Sequence, residues 1–129
     1  MQSKNHNLAQ LAAMLARHCP NASAYTCASM ARELTSIGKS IAKAQTWACN
    51  GYKDAAMDRR LCRLSMLDVP AANAYAAKIN ADGEKYVSKR MAALEKKLAV
   101  IRTETGLDIK SAGLSGICWK LPNGSEYFI

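Results

Sequence analysis

Residues 23–51 read SAYTCASMARELTSIGKSIAKAQTWACNG, and within them Cys27, Met30, Leu34, Ile37, Ile41, Ala44 and Ala48 recur at spacings of three and four. That period lines apolar side chains along one stripe of an α-helix. The stripe is narrow, so the outer face falls to polar residues, among them Arg32, Lys39 and Lys43. Asn50-Gly51 tolerates the left-handed backbone that closes a helix C-terminus. The stretch therefore predicts one long amphipathic helix.

Working outward, Leu8, Leu11, Ala12 and Leu15 form a shorter stripe that Asn7 can cap and that Pro20-Asn21 ends. On the other side, Asp54 caps a third helix with Met57, Leu61, Leu64 and Leu67 inward and Arg59, Arg60 and Arg63 outward. Val69-Pro70 resets the chain, since proline suits a first helical turn. The helical period then runs through Tyr75, Ile79, Val87, Met91, Leu94, Leu98 and Ile101 to Gly106, with a kink or break expected near Gly83, where Asn80-Ala81-Asp82-Gly83 interrupts it. After Gly106 the period becomes two, at Leu107 and Ile109 and again at Ile117, Trp119 and Leu121, which predicts strands. Asn123-Gly124 before Glu126-Tyr127-Phe128-Ile129 is a hairpin signal, because both turn residues accept positive φ. The class is α+β, mainly α: three or four helices, two of them long and antiparallel, followed by a small C-terminal antiparallel hairpin that Trp119 packs against the helices.

The length of 129 residues suits a single domain over 1–129, helical to residue 106 and β-structured over 107–129. Half the residues are apolar and 23 are alanine, which excludes disordered and collagenous classes and favours helices. The polar N-terminus lacks the apolar core of a signal peptide, and no segment has the length of uncharged apolar sequence needed to span a bilayer. The expectation is a soluble cytoplasmic protein. Its five cysteines are odd in number, form no C-x-x-C pair and read as reduced, buried thiols.

No reaction chemistry emerges. His6 and His18 are the only histidines, so nucleophilic catalysis has few bases, and scattered cysteines give no recognisable zinc ligand set. The acidic pairs Asp54 with Asp58 and Asp82 with Glu84 suit capping and surface ion pairing better than acid–base work. Cys49 at a helix end reads as structural, a half-buried residue followed by the Asn50-Gly51 C-cap. The reading is therefore no enzyme, no cofactor and no metal.

Charge is the feature that points to a partner. Eighteen basic against ten acidic residues give +8, of which residues 1–53 hold six bases and one acid. Such a balance steers toward nucleic acid or an acidic protein surface. Charge runs are usually solvated faces, and Lys85, Lys89, Lys96 and Lys97 read that way because Glu84 and Glu95 dilute them. The candidate contact set is Arg32, Lys39, Lys43, Tyr52, Lys53, Arg59, Arg60 and Arg63, with Tyr52 as the exposed aromatic.

Leu34-Thr35-Ser36-Ile37-Gly38-Lys39, continuing to Trp47-Ala48-Cys49-Asn50-Gly51, together with the tail from Leu94 through Leu107 to Ile129, resembles a family of small phage and prophage proteins. In that family a helix ends in a Cys-Asn-Gly-like turn, a basic helix follows, and a last helix feeds a C-terminal hairpin that often begins Gly-Asp-Pro-Arg-Gly. This chain has Gly113-Leu114-Ser115-Gly116 at that point, then Ile117-Cys118-Trp119-Lys120-Leu121-Pro122-Asn123-Gly124. The resemblance implies a mobile-element accessory protein that inhibits host defences, CRISPR complexes among them, or regulates phage genes. A small DNA- or RNA-binding regulator is the alternative, weakened by the absence of a recognisable helix-turn-helix.

Overall fold

The computed structural model describes residues 4–5, 8–120 and 126–128. In chain order these form β1 (Lys4–Asn5), α1 (Leu8–His18), α2 (Ala24–Cys49), α3 (Ala55–Leu67), α4 (Val69–Thr105), β2 (Lys110–Ser111), a 3-10 turn (Gly113–Ser115), β3 (Ile117–Lys120) and β4 (Glu126–Phe128). The class is α+β and mainly helical, as the periodicity requires. Asn7, Leu121 and the Asn123-Gly124 turn lie outside the described residues.

The described chain divides into two compact units, residues 1–43 with 92–129, and residues 44–91. In the first unit the stripe of α2 is buried as expected at Cys27, Met30, Leu34, Ile37 and Ile41. Leu11, Met14 and Leu15 of α1 and Leu94, Leu98 and Ile101 of α4 complete the helical part of this core. Ser23 caps α2, its Oγ accepting from the Thr26 amide at 3.1 Å. Gly106 ends α4 at φ +73°, a left-handed cap that only glycine adopts cheaply.

Four strands form one sheet in the order β1-β4-β3-β2. β3 pairs antiparallel with β4, Trp119 opposite Tyr127, and with β2, Cys118 opposite Lys110. β1 adds a parallel edge, Lys4 opposite Tyr127 and Asn5 opposite Phe128. The two-stranded hairpin of the sequence reading is thus the centre of a wider sheet. Leu107 and Ile109 are buried alternately as the period of two requires, yet neither belongs to a strand. Arg102 explains part of this: its guanidinium donates to the Ile109 carbonyl and is forked onto Glu95, so a side chain takes the hydrogen bond that a strand neighbour would supply. The hydrogen bond to Glu95 also raises the Arg102 pKa above the ordinary guanidinium value, against the opposing pull of burial.

The second unit has a thin core, with Ala44, Ala72 and Ile79 its buried apolar residues. Met57, Leu61 and Leu64 turn inward on α3 but remain half-buried. Leu67, expected to face inward, is 82 % exposed, as is Met66. Asp68 alone separates α3 from α4, directly after these two exposed residues. The Asp68 carboxylate accepts from the Ala71 amide at 3.2 Å and starts α4, with Pro70 in the first turn.

α4 is continuous for 37 residues and does not break at Gly83. Gly83 serves a neighbour instead. A Cβ there would overlap the Cβ and Cγ of Tyr52, so the glycine makes the seat for that tyrosine. Tyr52 itself adopts φ +61°, directly after Gly51 at φ +72°. Two successive left-handed residues reverse the chain between α2 and α3 and lay Tyr52 on α4.

Two outcomes follow for stability. Trp119→Ala is expected to cost about 3 to 5 kcal/mol in chemical denaturation, whereas an unchanged midpoint would mean a hairpin detached from the core. Gly83→Ala is expected to destabilise by about 1 to 3 kcal/mol despite the better helix propensity of alanine, and Tyr52→Gly, which removes the clashing Cβ as well as the ring, should remove most of that penalty in a double-mutant cycle.

Candidate functional site

Burial of one side of α2 determines where its cations go. At 100° per residue, Arg32, Ser36, Lys39 and Lys43 fall about 140–200° around the helix from Leu34, at the centre of the buried stripe. All four are exposed. They line a shallow concavity of about 400 Å³ together with Thr35, Ser40 and Leu8, the first residue of α1. Among the described residues no carboxylate lines it. Arg32, Lys39 and Lys43 enter no ion pair among the described residues, where the pairs are Lys53 with Asp58, Arg102 with Glu95 and Lys110 with Asp108.

The concavity also receives the N-terminal end of α1, which carries the positive pole of the helix dipole and has no acidic residue in its first turn. Charges of one sign from three side chains and one helix end therefore meet there, with no compensating acid among the described lining residues. Thr35 is committed locally, its hydroxyl donating to the Ala31 carbonyl at 2.8 Å. Leu8, Thr35, Ser36 and Ser40 were missed by a reading based on charge alone. The signal that finds the serines is spacing: Ser36 is four residues from both Arg32 and Ser40, and so shares their face.

The other five candidates lie in the second unit and are held differently. Asp54 caps α3 by accepting from the Met57 amide at 2.8 Å, which fixes the register of the arginines that follow. Lys53 is half-buried and paired with Asp58 at 3.2 Å. The acidic pair Asp54 and Asp58 thus works as cap and counter-ion. Arg60 stacks over the Tyr75 ring at 4.9 Å from its centroid, while Arg59 and Arg63 are exposed and enter no ion pair among the described residues. Tyr52, expected to be an exposed contact aromatic, is half-buried with its side chain on Gly83. Its left-handed backbone turns the ring onto α4 and away from a partner.

The cysteine expectation is corrected in the same way. Cys27 is buried, Cys19 and Cys118 are half-buried, but Cys49 and Cys62 are exposed, at the last residue of α2 and on the outer side of α3. All five are free thiols. Among the described residues, no group of three His, Cys, Asp or Glu side chains is placed to hold a metal ion, and no helix is long and apolar enough to cross a membrane. No family model, curated protein or solved structure matches the chain.

The arginines of α3 separate by their contacts. Arg59→Ala and Arg63→Ala are expected to shift stability by no more than about 0.5 kcal/mol, since exposed unpaired charges hold little folding energy. Arg60→Ala is expected to cost about 0.5 to 1 kcal/mol through its lost ring contact, and equal values for all three in urea denaturation would contradict the stacking.

Proposed function

We propose that the chain is a non-enzymatic binding protein, an accessory factor of a phage or other mobile element, that inhibits a host defence complex through the basic face of α2. The observation carrying this reading is the uncompensated concavity of Arg32, Lys39 and Lys43. Natural protein surfaces ordinarily intersperse both signs of charge, and a one-signed hollow raises the local concentration of anionic partners. A host complex that handles nucleic acid offers two such anions, its bound nucleic acid and the acidic segments of its protein surface. The resemblance of residues 34–51 and of the C-terminal tail to small phage proteins supports a proposed target in the bacterial cytoplasm, with CRISPR complexes in the target class.

The second reading is a small DNA- or RNA-binding regulator. What favours it is the hydroxyl of Ser36 between the cations, since serine and threonine donate to phosphate oxygens alongside arginine and lysine. It differs from the first reading in its target, which would be the phage genome or its transcripts.

The test is affinity capture from CRISPR-bearing cells with the intact chain as bait. The wild type is expected to retain a component of a defence complex, and Arg32→Glu/Lys39→Glu/Lys43→Glu to lose it by at least about a hundredfold, from several lost or reversed charge contacts. Circular dichroism checks that the variant is folded, because exposed charges contribute little to stability. Undiminished capture by the folded variant would remove α2 as the contact face.

A further inference from the structure

We infer that the concavity on α2 is a binding site for the sugar-phosphate backbone of nucleic acid, read without regard to base sequence. This rests on the proposed role of the basic α2 face and specifies what that face holds. The extent of the site decides the kind of anion. Arg32 and Lys43 are eleven residues apart on one helix, about 16 Å at 1.5 Å per residue, with Lys39 between them. A single phosphate or carboxylate group engages one end of such a row and leaves the other cations unmatched. An anion that repeats at short intervals engages all three, and each strand of B-form DNA brings a phosphate every 3.4 Å or so along its axis.

The chemistry of the lining agrees. Cationic side chains, the hydroxyl of Ser36 and the N-terminal pole of α1 are the group types that contact phosphate and sugar. Among the described residues the lining has no aromatic ring to stack a base and no Asn or Gln to read a base edge. Affinity without sequence preference follows. The absence of a carboxylate among the described lining residues matters equally, because a single one would repel the nearest phosphate and pair with the nearest lysine.

Fluorescence anisotropy of the intact protein with a labelled 20-base-pair DNA duplex, and with a single strand of equal length, tests this across 50–200 mM salt. Three phosphate contacts give a slope of log affinity against log salt near −2.7 on the duplex, about a 40-fold loss over that range, and near −2.1 on the single strand, and the tighter affinity at one salt concentration tells which form is held. Each single alanine replacement of Arg32, Lys39 or Lys43 is expected to reduce the slope by about one, and two unrelated duplex sequences should bind alike. Unlabelled duplex should displace the probe and polyglutamate of equal charge should not. Equal displacement by polyglutamate, slopes unmoved by the alanine variants, or no binding at 50 mM salt overturns the inference. Capture of a defence component that survives nuclease treatment, joined to no nucleic-acid affinity, overturns the inference alone; capture unaffected by charge reversal on α2 overturns the reading beneath it.

Discussion

Burial of the α2 stripe is the constraint from which the rest follows. Leu34, Ile37 and Ile41 are almost wholly removed from water, and each contributes on the order of 1.5–3 kcal/mol by that burial. A helix whose one side is committed in this way has no freedom to rotate, so its opposite side is committed too. Arg32, Ser36, Lys39 and Lys43 face solvent because Leu34 and Ile41 do not. The same hydrophobic stripe that makes the fold therefore presents the cations, and the lack of a compensating acid turns a solvated face into an anion-attracting one.

The second unit is governed by fit at one residue more than by a core. Its few buried apolar side chains leave α3 with no fully buried residue. What anchors the connection into α3 is the seat that Gly83 gives Tyr52, backed by the Asp54 cap and the Lys53–Asp58 pair. A region with so little buried surface opens at lower free energy than a deep core. Hydrogen exchange is accordingly expected to be faster there than in the first unit's part of α2. Its cations are also partly spent: Lys53 on Asp58 and Arg60 on Tyr75. Arg32, Lys39 and Lys43 enter no ion pair among the described residues, which is why α2 is the proposed binding face.

Helices were legible because their signals are local. The three-and-four spacing of Cys27 to Ile41, the Asp54 cap and the stop at Gly106 all act within a few residues. The role of Gly83 was not legible, because its reason lies 31 positions away at Tyr52, and a glycine among polar residues reads as a helix breaker when its neighbour in space is unknown. β1 escaped for a related reason: two residues, Lys4 and Asn5, carry no period, and their strand character comes from the edge of β4. For the site, net charge found Arg32, Lys39 and Lys43 but also swept in Lys53, Arg60 and Tyr52. Only side-chain contacts separate a cation that is paired or stacked from one that is unmatched.

The most direct measurement is a map of backbone amide shifts of the isotopically labelled protein as a short DNA duplex is added. Perturbations centred on residues 32–43 of α2 and on the start of α1 at Leu8 are the predicted result. Perturbations confined to residues 53–63, with α2 unmoved, would contradict the assignment of the binding face to the side of α2 opposite its buried stripe.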